Sequence, residues 1–440
     1  MPIYRTMAAP RVAIIGGGVS GGTCALELLR QLPHLAVTVF DQGRTLGGRA
    51  AHRRVALDGE YLTPQAPEAP AAFDHGCQFF RADTPQFRTE ILPEWLERGW
   101  AAEWSGQMAA LGPNASFFGA PLQPPFYVGV GGMSALPAGI LAEAARLGAL
   151  VRSGTRVSRT KQREDGIWRL FGTSGQAALH DTPEAVARRT QVDGIELGEF
   201  DAVVVTDASA SRPSWHRASA GLPEEVGRII NQRARVALFT ALVAFKAPLA
   251  IPHVGLAVAD SPLWFAARSS SKPGVVADHD CWTLVCTPEY AAEEIQRVPM
   301  QDPETGAFIA QDPQYLREGP SATMLSAFQA ALKTHNLLEE LPETVYVGGQ
   351  RWGSAFPAPL GTSSLVTIGE VDYSNQAQVP LAPEDPGVQQ VEENSVDFFA
   401  ADEIRLYYAG DFVSKNTPGL EAAALSARST ARHLAGVLRA

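Results

Sequence analysis

Cysteine is scarce, at 4 in 440 residues. So few in so long a chain build no disulfide framework. Cys281 and Cys286 stand an odd number of positions apart in one expected strand, so they would face opposite sides. Cys77 and His75 share a face but have no further ligand-type residue nearby, and no metal site is expected. Basic charge is also short, with 36 Lys and Arg against 47 Asp and Glu and a formal net charge of -11. Nucleic acid is therefore not an expected partner, because proteins that bind phosphate backbones carry a basic face. The densest basic run, Arg152 to Arg163, alternates with Val151 and Val157 and reads as the solvated side of a hairpin. Long apolar runs are missing too: Val236 to Phe245 is too short to span a bilayer and is bounded by Arg235 and Lys246. The first ten residues carry no apolar stretch of a secretion signal. These absences point to a soluble protein of a reducing compartment, cytoplasmic or organellar, with no membrane span.

Glycine, by contrast, is concentrated where chemistry needs it. Val12 to Ile15 is a short apolar run of the buried-strand kind, followed by Gly16, Gly18 and Gly21 in G-x-G-x-x-G spacing and a helical pattern through Ala25, Leu26 and Leu29. A second strand, Val37 to Phe40, ends at Asp41, 20 positions after Gly21. Gly16 makes the tight turn, Gly18 admits a diphosphate close to the backbone, Gly21 lets helix pack on strand, and Asp41 can accept from a ribose hydroxyl. The helix N-terminus favours the negative charge. Strand, glycines, helix, strand and acid in this order predict a Rossmann-type dinucleotide site.

Beyond it, His52 to Ala72 contains Pro64, Pro67 and Pro70 and is expected to be an exposed loop. Residues 73 to 80, F-D-H-G-C-Q-F-F, alternate like a strand. Phe87 to Trp100 has helical spacing divided by Pro93, and Tyr127 to Leu141 is a glycine turn feeding a helix. Thr155 to Ser158 and Ile167 to Phe171 look like paired strands, and Phe200 to Thr206 like a buried one. Val236 to Phe245, Leu263 to Ala267 and Trp282 to Thr287 form a β-rich middle; Met324 to Leu338 predicts a helix and Val345 to Trp352 a strand. Thr362 to Asp402 is acidic, proline-containing and without period, so a surface-exposed insertion is expected. The chain closes with a strand, A-G-D (Ala409 to Asp411), a loop and a small-residue helix.

Distant motifs arbitrate between nicotinamide and flavin. They are L-G-G-R (Leu46 to Arg49), D-H-G-C-Q-F (Asp74 to Phe79), F-D-A-V-V-V-T (Phe200 to Thr206), A-R-V-A-L (Ala234 to Leu238), the pair Arg351 and Trp352, and A-G-D followed by P-G-L-E-A-A-A-L-S-A. On these the sequence resembles the FAD-dependent amine oxidase superfamily, most of all its renalase branch. The resemblance implies an α/β fold: a discontinuous Rossmann-type FAD-binding domain (10–84, 128–208 and 403–440) plus an α+β substrate domain with an antiparallel sheet (85–127 and 209–361), and the acidic insertion at 362–402. It implies non-covalent FAD, with Gly16, Gly18, Ser20 and Gly21 on the diphosphate, Asp41 on the adenosine ribose and Arg49 near the flavin end. It further places Gln78 and Phe79 by the isoalloxazine, Val157 on the adenine through its backbone, and Asp411, Leu420 and Glu421 around the ribityl and pyrimidine portions. No cysteine follows Cys286, so none sits in the C-terminal flavin segment to form a thioether. Two departures stand out: Ala422 occupies a position where the family commonly has Gly, and Asp207 and Ala208 follow Thr206 where x-Pro is usual.

The expected activity is that of an oxidase taking hydride from a small-molecule donor and passing electrons to oxygen. Isomeric reduced nicotinamide dinucleotides are the first donor class and amines the alternative. A reading of another class is a flavoprotein kept as a structural or binding subunit, meeting a protein partner through its acidic insertion. No catalytic acid or base is assigned, since the cofactor carries the hard chemistry. Trp352 stays open between a substrate-pocket wall and a tryptophan that closes a core. Tyr407 and Tyr408 are expected to be core rather than an amine cage. Lys272, in S-S-S-K-P-G, is expected to be a solvated loop lysine, and His75 a strand histidine with one hydrogen bond satisfied.

Overall fold

The computed structural model describes residues 9–43, 45–63, 66, 69–113, 115–117, 122–174, 194–207, 215, 219, 221–230, 235–300, 309, 311–357 and 397–439. The chain divides into two compact units, one of Met1–Gly48, Pro137–Gln232 and Pro383–Ala440, the other of Arg49–Leu136 and Arg233–Ala382.

The first unit is built on a six-stranded sheet. Its order is Phe399–Ala401, Leu406–Tyr408, Ala202–Val205, Arg11–Ile15, Ala36–Phe40, Leu150–Arg152. All neighbours are parallel except the outermost pair, Phe399–Ala401 with Leu406–Tyr408. Central parallel strands are covered on both faces, which is why V-A-I-I and A-V-V-V are continuous rather than alternating runs and are buried throughout. Helix Val19–Gln31 follows the first strand, and helix Leu420–Arg439 lies along it. Ala422, Ala423, Ala424 and Ala427 allow a close approach, with Ser20 Oγ donating to Ala423 O at 3.1 Å. A three-stranded antiparallel sheet, Thr155–Gln162, Trp168–Ser174 and Ile195–Phe200, completes the unit. It shares a core containing Phe40, Trp168, Phe200, Val203 and Tyr408. Of the expected acidic insertion, residues 362–396 lie outside the described residues, while Phe399–Ala401 is the edge strand just named.

The second unit carries a six-stranded sheet of order Thr344–Pro357, Arg235–Phe245, Asp280–Cys286, Leu263–Arg268, His253–Val258, Gln107–Leu111. It is antiparallel except where Gln107–Leu111 joins in parallel. The fold is therefore a mixed α/β one, a discontinuous Rossmann-like domain with additional antiparallel sheets.

Two expectations are corrected here. The stretch 52–72 is not simply a loop: His52–Val55, Tyr61–Leu62 and Ala71–Asp74 form a three-stranded sheet. Val55, Ala71 and Phe73 pack on Leu242, Ala244 and Cys281 of the large sheet, and this burial ties residues 49–84 to the second unit. Pro64 and Pro67 lie outside the described residues and Pro70 just before the third strand, so proline interrupted the pattern without forbidding pairing. The strand expected over 73–80 ends at Asp74. A Cβ at Gly76 would stand 2.1 Å from Arg49 O, and Gln78 Nε2 donates back to Asp74 O at 2.6 Å and Gly76 O at 2.8 Å, so the chain closes into a loop. Pro93 does divide the helical region, into Pro85–Glu90 and Leu92–Glu97.

Candidate functional site: a glycine cradle and a buried charge cluster

In the first unit the three motif glycines do different work. Gly16 has φ +122, open to glycine and costly to other residues, and a Cβ there would lie 2.5 Å from Thr206 Oγ1. A Cβ at Gly21 would lie 1.8 Å from Gly16 O, so the helix can sit this close to the strand only without a side chain. At Gly18 a Cβ would make only ordinary contacts, with Gly47 O at 3.7 Å and Gly48 Cα at 3.9 Å, so there is room for a methyl above the backbone and packing does not demand the glycine. Gly18 is also the N-cap of helix Val19–Gln31 and brings no side-chain cap, so the first turn has no side-chain acceptor from that position and the positive end of the helix dipole lies at this glycine. The L-G-G turn closes over it, Gly47 N donating to Gly17 O at 3.2 Å.

Asp41 is 6% exposed at the end of the second strand. Gly17 N donates to its Oδ2 at 2.8 Å and Gly43 N to its Oδ1 at 2.7 Å. Burial raises its pKa, the two backbone N–H groups offset part of that, and the nearby Asp207 adds to the rise. A carboxylate offers about four lone-pair sites, so this one, held by two N–H groups, can still accept from hydroxyls. Ser20 is buried, tied to Ala423 as above. Gly410 N donates to Ser426 Oγ at 2.9 Å, fixing the A-G-D turn onto the last helix; Asp411 is 2% exposed, and Leu420 and Glu421 open that helix. Val157 O accepts from Trp215 Nε1 at 3.3 Å. Tyr407 and Tyr408 are both fully buried and Ala422 is 0% exposed, core positions all three.

The second unit holds a cluster that sequence reasoning missed. Asp74 is completely buried. Its Oδ2 accepts from Lys272 Nζ at 2.7 Å, and its Oδ1 lies 2.8 Å from His52 Nδ1 and accepts from Met133 N at 2.8 Å. Lys272 Nζ also donates to Gln78 O at 2.7 Å. The expectation of a solvated lysine is thus overturned: the Lys272 side chain is 0% exposed. Its turn-like neighbourhood gave the wrong signal, because that turn points inward. For Asp74, burial by itself pushes the pKa up; the Lys272 ammonium, together with His52, more than reverses this and holds the carboxyl well below the usual range. His52 went unremarked because 52–72 read as loop. Glycine also marks its place, since a Cβ at Gly132 would meet His52 Nδ1 at 2.3 Å.

The other expected residues of this unit are placed as follows. Arg49 donates from a guanidinium nitrogen to Ala355 O at 3.2 Å. Gln78 is 2% exposed with its amide turned into its own loop, and Phe79 packs edge-on against Phe126 and Phe265 at 4.8 and 5.6 Å. Trp352 Nε1 donates to His75 O at 2.7 Å and its ring stacks on His75 at 5.4 Å. His75 follows the strand rather than lying in it, and its Nδ1 has no partner, contrary to the hydrogen-bonded strand histidine expected. Burial, with Arg53 and His52 nearby, pushes its pKa well down, so the ring is neutral.

None of the four thiols is poised to react. Burial pushes Cys77 up to about 11, Cys281 and Cys286 up to about 12, and Cys24 higher still. Since the thiolate is the reacting species, the folded protein is expected to show no fast-labelling cysteine with a disulfide reagent at neutral pH, and 4 after denaturation. A thiol that reacts within seconds in the folded state would contradict these assignments. Among the described residues no group of three or more His, Cys, Asp or Glu could hold a metal ion, and no helix is long and apolar enough to cross a membrane.

Comparison with known proteins agrees with this architecture. The family described as an NAD(P)-binding Rossmann-like domain matches residues 14–91. Among solved structures, a candidate protoporphyrinogen oxidase from Exiguobacterium sp. 255-15 is similar over 98% of this chain and 99% of its own, at 14% identity and a TM-score of 0.56. The flavin-dependent halogenase CmlS is similar over 98% of this chain and 58% of its own, at 15% identity and a TM-score of 0.50. At such identities the likeness is one of fold: a Rossmann-like dinucleotide domain elaborated with antiparallel sheets.

Proposed function

We propose that the chain is an FAD-dependent oxidoreductase that binds its cofactor non-covalently and takes hydride from a small donor, with oxygen as the acceptor. The observation that carries the reading is the cradle of the first unit: a Gly18 that packing does not demand, a helix start with no side-chain cap, and an Asp41 carboxylate held in place by Gly17 and Gly43. A second argument is that the chain comes back to this unit at its far end, where Ser20 ties helix Leu420–Arg439 to the cofactor helix. An enzyme that binds only nicotinamide needs no such return. Similar folds carry the names of a candidate protoporphyrinogen oxidase and a flavin-dependent halogenase, which supports flavin over nicotinamide in this site.

Gly16, Gly18, Ser20 and Gly21 would hold the diphosphate, and Asp41 the ribose hydroxyls. By resemblance, Arg49, Gln78, Phe79, Val157, Asp411, Leu420 and Glu421 are proposed as further cofactor contacts, and Trp352 as a substrate contact. When bound, FAD supplies the hydride acceptor. The backbone N–H groups of this helix start would take the diphosphate charge without a cationic side chain. No cysteine follows Cys286 in the sequence, which supports non-covalent attachment. Residues 85–127 and 209–361 are proposed to carry donor recognition.

For the donor we favour isomeric reduced nicotinamide dinucleotides over amines. Tyr407 and Tyr408, the pair that would cage an amine, are fully buried, and Lys272 is spent on Asp74 and Gln78. The test is anaerobic mixing of the FAD-loaded protein with each donor class. Bleaching of the flavin band by a dihydronicotinamide isomer is expected; bleaching by an amine alone would overturn the donor assignment.

A further inference from the structure

The sequence S-S-S-K-P-G is a worked platform rather than a flexible turn. Ser269 Oγ bonds Thr283 Oγ1 at 3.1 Å, Ser270 Oγ donates to Asp280 Oδ1 at 2.8 Å, and Ser271 Oγ donates to Arg268 O at 2.7 Å while accepting from Trp104 Nε1 at 3.0 Å. Beyond the lysine, Pro273 O accepts from Gly131 N at 2.8 Å. The backbone on both sides of Lys272 is thereby anchored, and its side chain has one direction to take. The ammonium reaches two acceptors at 2.7 Å, Asp74 Oδ2 and Gln78 O, which are the two ends of the loop 74–78. A buried ion pair is a poor way to gain stability, since desolvation cancels much of the attraction. What it secures is a conformation.

We propose that Lys272 is a positioning residue: its ammonium staples the ends of the Asp74–Gln78 loop and so sets the direction in which Phe79 leaves it. The value of that direction for the cofactor rests on the function proposed above; the staple does not.

Hydrogen exchange read by mass spectrometry on the full chain separates the two. Within the loop and its exit, His75 N, Cys77 N and Phe80 N donate to Ala51 O, Arg49 O and Tyr127 O, so peptides over residues 74–80 are protected in the wild type. In Lys272→Met their exchange is expected to quicken at least about tenfold while the strand Arg235–Phe245 is unchanged. Lys272→Arg, which keeps donors for both acceptors, should stay within about threefold of wild type. If Lys272→Met fails to fold, the double variant Asp74→Asn/Lys272→Met leaves no uncompensated charge yet still lacks the link to Gln78 O, and the same selective quickening is expected. Unchanged exchange over 74–80, or equal quickening in the loop and the strand, overturns the staple. Purified wild-type protein without flavin, but with this exchange pattern, would overturn the cofactor reading and leave the staple standing.

Discussion

Gly21→Ala is expected to abolish flavin retention and to lower unfolding stability by about 3 kcal/mol, the upper end of what overpacking a filled site costs. The reason is a single distance. The new Cβ would be built 1.8 Å from Gly16 O, a backbone atom in the turn itself, with Thr206 Oγ1 at 3.1 Å behind it. No rotamer relieves a clash between a Cβ and a carbonyl, so the helix must lift from the strand and carry its first-turn N–H groups away. Gly18→Ala is the informative contrast. Its φ of -86 suits alanine and the nearest atom would be 3.7 Å away, so stability should change by less than about 1 kcal/mol. The methyl nevertheless enters the room a diphosphate needs, and FAD affinity should fall at least about tenfold, a loss of ~1.4 kcal/mol. Urea midpoints and flavin content per chain measure both effects. A Gly21→Ala protein as stable and as yellow as wild type would contradict this account of the cradle.

Asp74→Ala is expected to cost about 3–5 kcal/mol, because it strands the Lys272 ammonium in the interior after removing its partner. Asp74→Asn/Lys272→Met should recover part of the loss. The pair also sets a pH dependence whose sign is fixed. The folded-state pKa of Asp74 is depressed, so the carboxylate contributes stability that is present above the unfolded value of about 4 and is lost as pH falls below it toward the folded value. Wild type should therefore lose more stability than the double variant between pH ~5 and ~2.5. Equal acid sensitivity of the two would show that the pair does not govern this window.

Much of the first unit was legible because its signals are local. A parallel strand buried on both faces is a continuous apolar run, a helix start without a capping side chain is a glycine, and the strand-end acid lies close by in sequence; Val12 to Asp41 carried all three. The same holds for Pro93, which sits in the first turn of the second of two short helices. What could not be read depends on partners far apart in the chain. Lys272 lies 198 positions from Asp74, and nothing in S-S-S-K-P-G says that its serines face inward toward Thr283 and Asp280. The sheet of His52–Val55 with Ala71–Asp74 was hidden because its apolar face is only Val55, Ala71 and Phe73, too short a pattern to outweigh three prolines. Gly76 and Gly132 were its one sequence trace, each standing where a Cβ would strike Arg49 O or His52 Nδ1.

The central claim is that the cradle around Gly18 holds FAD, and the absorption spectrum of the purified protein before and after mild acid precipitation tests it most directly. The account predicts a bound flavin spectrum that passes entirely into the supernatant as FAD, and that Gly21→Ala protein lacks. Protein that is colourless when purified, and stays so after incubation with FAD, would contradict it.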